Sequence, residues 1–328
     1  VNPAAAVPAL SVCIPSWNTR ALLADCLRSL QADIGAGRCE VLVVDDASSD
    51  GSAAMVAADF PQVRLTALST NLGFVGATNL AMRNARGHYL VLLNSDTCVH
   101  PGALTALADF MASQPGAGVV GPRLESASGS LQLSCGRTPG LAAEIINKLL
   151  LHKLLPFHRF GRWDHAGARR VGWVTGACLV VRRQVAEQVG YLDPGIFMFY
   201  EDLEWCLRIQ RAGWQIWYCP AGVVTHLGGQ STRQDFGRML VISQRSQYYL
   251  FGRHFSRGTL HLLRLLTVIE AGLRSLIWGG VWGGVPRRRG EARQRVAAYA
   301  QILRRTLTDR SYWDSAADRG GGALHVER

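Results

Sequence analysis

The sequence predicts a mixed α/β protein: a mostly parallel central sheet with flanking helices, followed by a helical C-terminal segment. Three observations carry this. Short apolar runs alternate with stretches of helical periodicity through about residue 121, the pattern of a parallel sheet covered on both faces. Several of those runs end in polar or acidic residues, as ligand-binding strand ends do in open α/β sheets. From Gln244 onward the pattern is helical throughout.

The elements follow in order. Leu10 to Pro15 is a short apolar run of β-formers, a buried strand. Arg20 to Gln31 carries Leu22, Leu23, Cys26, Leu27 and Leu30 at helical spacing. Glu40 to Val44 is a second strand, ending in Asp45-Asp46. Ala47 to Gly51 is a turn and cap, and Ser52 to Phe60 a helix. Val63 to Leu68 is a third strand, Asn71 to Phe74 a loop and Gly76 to Ala85 a helix. His88 to Leu93 is a fourth strand, running into Asn94-Ser95-Asp96-Thr97. Beyond about Gly121 the pattern changes. Ser128-Gly129 reads as a hairpin turn. Gly140 to Arg170, with His152, His158 and His165, reads as a mobile insertion. Trp173 to Arg182 is a strand, Glu201 to Arg211 a helix, Trp214 to Cys219 a strand, and His226 follows in a Gly-rich loop. The division expected is a tail at 1–9, a catalytic domain at 10–255 with halves 10–121 and 122–255, and a helical basic region at 256–328.

Composition narrows the function. The 328 residues are 48% hydrophobic and 18% charged, a folded chain rather than a disordered one. A net charge of +11 suits an anionic partner: a nucleotide diphosphate, a phospholipid surface or a nucleic acid. The eight cysteines form no C-x-x-C pair, which argues against a zinc knuckle; reduced thiols and a cytosolic setting are expected. Val1 to Leu10 lacks a basic start followed by a long apolar core, so no signal peptide is expected.

Four polar groups follow strand ends: Ser16 to Asn18, Asp45-Asp46, Asp96 and His226. In a parallel sheet all four can converge on one rim. Asp96 alone is also ordinary turn chemistry, as is Asp45. Glu201-Asp202 opens a helix, where carboxylates favour the macrodipole and capping suffices as an explanation. The preceding Met198-Phe199-Tyr200 sets the pair beside an apolar surface, which can raise a carboxylate pKa and make a usable base.

In this order the residues resemble the inverting family 2 glycosyltransferases of GT-A fold. Ser11-Val12-Cys13-Ile14-Pro15-Ser16-Trp17-Asn18 is similar to their opening strand, and Val43-Val44-Asp45-Asp46-Ala47-Ser48-Ser49-Asp50-Gly51-Ser52 to their second motif. Asn71 to Asn79 and Leu92 to Thr97 match the third and fourth. Tyr200-Glu201-Asp202-Leu203-Glu204-Trp205-Cys206-Leu207-Arg208 matches the acceptor-side helix, and His226-Leu227-Gly228-Gly229-Gln230-Ser231 the closing metal loop. The most similar subgroup is the bacterial rhamnosyltransferases of cell-envelope polysaccharide synthesis.

The resemblance implies roles. Pro15, Asn18 and Asp45 would line the nucleotide pocket, with Asp46 beside them at a position the family often fills with Asn. Asn71, Gly73 and Asn79 would shape the nucleotide and sugar pocket. Asn94, Ser95 and Asp96 stand at the family's D-x-D-like motif, with Asn in place of its first acid. Asp96 and His226 would hold a divalent metal, Mg²⁺ or Mn²⁺. Asp202 would be the general base, and Glu201 would hold the acceptor or orient Asp202. Trp173, Gly176 and Ala177 would flank the acceptor, although Trp173 also fits a core position. The donor would be a nucleoside diphosphate sugar and the acceptor a lipid-linked or polysaccharide hydroxyl, with no nucleic acid involved.

Thr259 to Val285 is strongly apolar but interrupted by Arg264, Glu270 and Arg274, so a spanning helix is costly. With Arg287-Arg288-Arg289, Arg293 and Arg295 beyond, it suits a helix in the membrane interface. That implies a cytoplasmic protein held peripherally at the inner membrane surface; the alternative is packing on the catalytic domain or in a homo-oligomer. Two competing functions are a sugar nucleotidyltransferase, whose Gly-rich loop after the first strand is missing, and a non-catalytic sugar-nucleotide-binding relative. Processive polysaccharide synthases carry several spanning helices and a Q-x-x-R-W motif, and this sequence has neither.

Overall fold

The computed structural model describes residues 8–149, 163–228 and 236–314. His152, His158 and the Gly229-Gln230-Ser231 end of the last motif lie outside the described residues. Contacts divide the chain into two compact units. One takes in Val1–Thr138, Trp163–Pro194 and Glu201–Gly228; the other takes in Pro139–Arg162, Gly195–Tyr200 and Gly229–Arg328.

The first unit begins with β1 (Leu10–Ser16), α1 (Arg20–Ser29), α2 (Gln31–Gly35), β2 (Cys39–Asp45), α3 (Ser52–Asp59), β3 (Arg64–Ala67), α4 (Gly73–Asn84) and β4 (Tyr89–Leu93). It continues through β5 (Thr97–Val99), α5 (Ala103–Ser113), β6 (Ala117–Glu125), β7 (Leu131–Gln132) and β8 (Cys135–Gly136). The order of the main sheet is β3-β2-β1-β4-β11-β6-β12-β5, where β11 is Cys178–Arg182 and β12 is Gln215–His226. Strands β1, β2, β3 and β4 pair in parallel, and β12 is parallel to β6. Strand β11 runs antiparallel to both β4 and β6. The C-terminal ends of β1, β2, β4, β6 and β12 therefore share one rim with the start of β11. The chain also reverses its direction of strand addition between β1 and β4. Open α/β sheets place their ligands at such a switch point.

The apolar spacing read for the first helix packs the sheet, together with two further helices. Leu23, Cys26, Leu27 and Leu30 of the α1 region, Val56 of α3, and Leu104, Leu107 and Met111 of α5 form one continuous core with Val12, Ile14, Val41, Val43, Val91, Leu93 and Val120. Each fully buried aliphatic side chain contributes about 1.5–3 kcal/mol, so the strand ends stand on a rigid base. All eight cysteines are free, and only Cys98 is exposed.

Three expectations are corrected. The stretch Trp173 to Arg182 is not one strand. After β9 (Arg169–Val171), its first part, β10 (Trp173–Val174), pairs with β8, while Cys178 onward joins β4; residues 175–177 leave the ladder between two different partners. His226 is not in a loop but is the last residue of β12. That strand runs past Pro220 across a bulge between Cys219 and Val223, and a Cβ at Gly222 would come within 2.7 Å of Leu107 Cγ. Helix α4 starts at Gly73 rather than Gly76, and the chain enters it at Gly73 with a φ of +75°, which glycine tolerates.

The second unit is helical. It contains α6 (Leu141–Lys148), α9 (Phe236–His254), α10 (Arg257–Gly284), a 3-10 turn (Pro286–Arg288), α11 (Arg289–Thr308) and α12 (Arg310–Trp313); α7 (Arg183–Val189) and α8 (Glu201–Arg211) belong to the first. Tyr248, Phe251, Leu260, Leu263, Ala271, Tyr299 and Ile302 form its core. Buried Lys148 donates to Glu270 at 2.9 Å and to Gln244 at 3.0 Å, so its charge is matched. No described helix is long and apolar enough to cross a membrane.

Candidate active site

The rim is built from β1 and β2 outward. Ser16 lies opposite Asp45 in register, and Asp46 N donates to Ser16 O at 2.8 Å. The β1–β4 ladder ends at Cys13, two residues before Pro15, which has no N–H to donate. The sheet therefore opens at this point. Asp45 is buried; its Oδ1 accepts from Ser48 N at 3.0 Å, while its buried Oδ2 has no hydrogen-bond partner among the described residues. A buried carboxylate oxygen left open is costly without a donor, and a ligand N–H would supply one.

The neighbouring loops are clamped together. Asn18 Oδ1 accepts from Ser49 N at 2.8 Å, and Asn18 N donates to Ser48 Oγ at 2.9 Å. Asn18 and Ala47 both adopt positive φ, 52° and 61°, a conformation that fixed surroundings must hold for Ala47. Asp46 Oδ1 accepts from Leu72 N at 2.6 Å, Asn71 Nδ2 donates to Asp46 O at 3.0 Å, and Asn71 Oδ1 accepts from Gly73 N at 3.0 Å. Burial pushes the Asp46 carboxyl up, opposed by the Leu72 and Gly73 amides. Asp46 and Asn71 thus shape the loop rather than present free side chains. Asn79 is further engaged: its amide donates to Leu192 O at 2.9 Å and accepts from Leu192 N at 3.0 Å.

After β4, the Asn94-Ser95-Asp96 turn meets three neighbours. Ser95 Oγ is 3.0 Å from Thr19 Oγ1, itself 3.0 Å from Ser16 Oγ, so a relay of hydroxyls joins the ends of β1 and β4. Asn94 N donates to Ala177 O at 3.0 Å, and Asn94 Oδ1 is buried with no partner among the described residues. Asp96 Oδ1 stands 3.4 Å from His226 Nε2. The register Thr97↔His226 between β5 and β12 brings them together, and Leu227 N donates to Asp96 O at 3.0 Å.

His226 Nδ1 is 3.0 Å from Gln132 Oε1 on β7. With the amide oxygen as acceptor, Nδ1 carries the proton and Nε2 offers its lone pair beside the Asp96 carboxylate. An outer hydrogen bond that fixes the tautomer is how histidine ligands are oriented. One imidazole and one carboxylate suit Mn²⁺ or Mg²⁺. Among the described residues no cluster of three or more His, Cys, Asp or Glu side chains could hold a metal, so the two would need diphosphate oxygens and water to complete a shell.

The carboxylate pair lies at the start of α8. Asp202 Oδ2 accepts from Gly176 N at 2.9 Å and Oδ1 from Leu203 N at 2.7 Å. The break between β10 and β11 is what frees the Gly176 N–H. Since Ala177, next in the chain, takes the Asn94 amide, Asp202 is linked to the end of β4 through two adjacent residues. Glu201 is buried, with Oε2 lacking a partner among the described residues. Burial, then the Asp202 charge, raises its carboxyl well above the usual range. The two residues before it, Phe199 and Tyr200, hold φ of 65° and 67°. Trp173 and Ala177 are buried.

The residues that sequence reasoning passed over are Gln132, Thr19 and Ser48. Gln132 sits in a polar stretch with no motif around it, and its role exists only once β12 reaches His226. Thr19 follows the first quoted motif and Ser48 lies inside the second without an assigned role, so their closeness to Asn18 and Asp45 was the available signal.

Comparison with known proteins follows the same lines. The profile of Glycosyl transferase family 2 matches residues 11–190. The N-acetylglucosaminyl-diphospho-decaprenol L-rhamnosyltransferase of Mycobacterium tuberculosis is 32% identical over 234 residues, 65% of this chain and 75% of that protein. The low-salt glycan biosynthesis hexosyltransferase Agl10 of Haloferax volcanii is 25% identical over 231 residues, 68% of this chain and 70% of that protein. Among solved structures, the mannosyltransferase PcManGT of Pyrobaculum calidifontis, in complex with GDP-Man and Mn²⁺, superimposes with a TM-score of 0.57 at 17% identity, over 92% of this chain and 88% of that one. That likeness carries the fold, GT-A, while the family profile and the 32% identical relative carry the family. The nucleotidyltransferase alternative has no support left. With the family's profile matched over more than half of its length and a sheet rim that gathers the family's motifs, this chain belongs to glycosyl transferase family 2 and is a glycosyltransferase.

Proposed function

We propose that the chain moves a sugar, rhamnose in the reading nearest its relatives, from a nucleoside diphosphate sugar to a hydroxyl of a lipid-linked or polysaccharide acceptor, with inversion. The single observation that carries this is the link from Asp202 through Gly176 and Ala177 to Asn94. It joins a carboxylate suited to proton removal to the strand end that carries Asp96.

The roles follow from the surroundings. Asp45 Oδ2 accepts from the nucleotide base, and the loops clamped by Asn18, Asp46 and Asn71 enclose it. Asp202 takes the proton from the acceptor hydroxyl as that oxygen bonds to the anomeric carbon. The bond from the anomeric carbon to the diphosphate breaks, and the nucleoside diphosphate leaves with the electron pair. A single displacement from the opposite face inverts the configuration and needs no covalent intermediate. Glu201, holding its proton, donates to the acceptor or steadies Asp202. Asp96 and His226 would hold a divalent cation, which when bound neutralises charge on the diphosphate. A lipid-linked acceptor places the reaction at the inner face of the cytoplasmic membrane.

The test is transfer from thymidine or uridine diphosphate sugars to a native lipid extract, with and without Mn²⁺. Product with the opposite anomeric configuration supports the reading, and retention overturns the single displacement. Asp96→Ala and His226→Ala should each lose metal-dependent nucleoside diphosphate affinity in calorimetric titration, with the fold intact. Unchanged affinity in both removes the metal assignment.

A further inference from the structure

Helix α10 buries one face and leaves another bare. Leu260, Leu263, Leu266, Thr267 and Ala271 face the core of the helical unit. Leu262, Leu265, Ile269, Leu273 and Leu276 are exposed, and Leu276 reaches 76%. At roughly 100° per residue these five fall within an arc of about 80°, with exposed Ile277 at its border. Gly280 and Gly283 continue the same line, and a Cβ at either would meet nothing within 4 Å. Every residue along this stripe, from Gly258 to Gly283, is uncharged. Arg264 and Arg274 point elsewhere: Arg264 donates to Thr306 O at 3.0 Å, and Arg274 to Glu270 Oε1 at 2.8 Å. The aliphatic part of the stripe, Leu262 to Leu276, runs about 22 Å at 1.5 Å per residue, and such a bare apolar stripe is unusual on a water-exposed surface.

Both ends of the stripe are cationic. Exposed Arg257 precedes it, and exposed Arg287, Arg289 and Arg293 follow it, while Arg288 is paired with Glu291 at 3.1 Å. This charge decides between two occupants. A second copy packed on the same stripe, parallel or antiparallel, would bring arginines against arginines. An anionic lipid surface takes up the aliphatic side chains and pairs with both cationic ends.

We propose that the exposed face of α10, with the arginines at its two ends, docks the enzyme flat on an anionic phospholipid surface. The setting rests on the membrane-side placement proposed above. Vesicle binding is measured without a sugar donor, and transfer to a water-soluble acceptor without vesicles, so either can fail alone.

The experiment is flotation of the full chain with vesicles of phosphatidylcholine and phosphatidylglycerol, against phosphatidylcholine alone, at low and high salt. The wild type should bind the mixed vesicles, and salt should release part of it, because only the arginine contribution is screened. Leu265→Glu with Leu276→Glu should lower binding about tenfold or more, since both replaced side chains are lipid-facing. Arg287→Glu with Arg289→Glu should abolish most of the preference for anionic lipid. Circular dichroism should show native helix content in both, as these side chains are exposed. Wild-type protein that ignores mixed vesicles at low salt overturns the inference. So does a Leu pair variant that binds like wild type. A wild-type dimer that this variant turns into monomer, with no vesicle binding, assigns the face to a second copy and overturns it too.

Discussion

Asp202 and Glu201 are adjacent, share one chemistry and are both buried, but they differ in their hydrogen bonds. Asp202 takes two main-chain N–H bonds, which favour a carboxylate, while Glu201 is buried with an oxygen unmatched. Asp202→Asn keeps the shape and removes the proton acceptor. Donor affinity should stay near that of wild type, and turnover should fall by roughly 100-fold or more. Normal turnover in Asp202→Asn with a dead Glu201→Gln would reverse the roles. Glu201 also has a signature in stability. Its carboxyl is raised first by burial and then by the Asp202 charge, so the folded state holds the proton more tightly than the unfolded one. The cost of ionising it is absent below the unfolded value of about 4.5 and is fully present above the folded one. Glu201→Gln never ionises. Its stability relative to wild type should therefore improve by more than about 1 kcal/mol between pH 5 and pH 9. A difference that stays flat across that range in urea titrations would refute the assignment.

Helix α8 shows how one element can hold that pair still. Arg208 spans it, donating from Nε to Glu204 at 2.8 Å and from Nη1 and Nη2 to the carbonyls of Val189 and Tyr191 at 2.6 and 2.7 Å. Glu204 is fully buried, and Trp205 Nε1 donates to Gly190 O at 2.8 Å. Removing one partner of a buried ion pair strands the other. Arg208→Ala should cost about 3 kcal/mol or more in urea unfolding and lower turnover with it. Arg208→Lys should recover little, because an ammonium cannot reach three acceptors in a planar fork. A loss under about 0.5 kcal/mol, the scale of an exposed pair, would show that the anchor is not stabilising. Elements of this kind were legible in the sequence. The apolar spacing of α1, the helix expected at 52–60 and the polar ends of β1, β2 and β4 announced both the sheet and its rim, whereas α5 was not read from the sequence. What stayed hidden were features set by pairing partners. The strand from Trp173 breaks because its halves join different sheets, and β12 runs past Pro220 across a bulge to pair with β5. Neither leaves a mark in local composition. The Asp96–His226 approach depends on that second feature, so the motif located the residues without their geometry. Gln132 was invisible for the same reason.

At the scale of the whole molecule, every rim residue discussed, from Ser16 to His226, belongs to the sheet-containing unit, while α9 to α12 form a separate compact unit with its own core. Two cores predict two calorimetric transitions, a case in which one melting temperature does not describe the chain. On the site proposed above, a nucleoside diphosphate with Mn²⁺ would bind only the folded rim. At about 100 times its dissociation constant it should stabilise that transition by about 2.7 kcal/mol and leave the other in place. The two transitions are assigned by substitution: Leu27→Ala, in the sheet core, should lower the one that the ligand raises, and Leu263→Ala, in the helical core, the one that it does not. Adding His226→Ala should cancel the ligand's shift without merging the transitions. If ligand and Leu263→Ala act on the same transition, the site draws on the helical unit, and a rim built from the sheet alone is not sufficient for nucleotide binding.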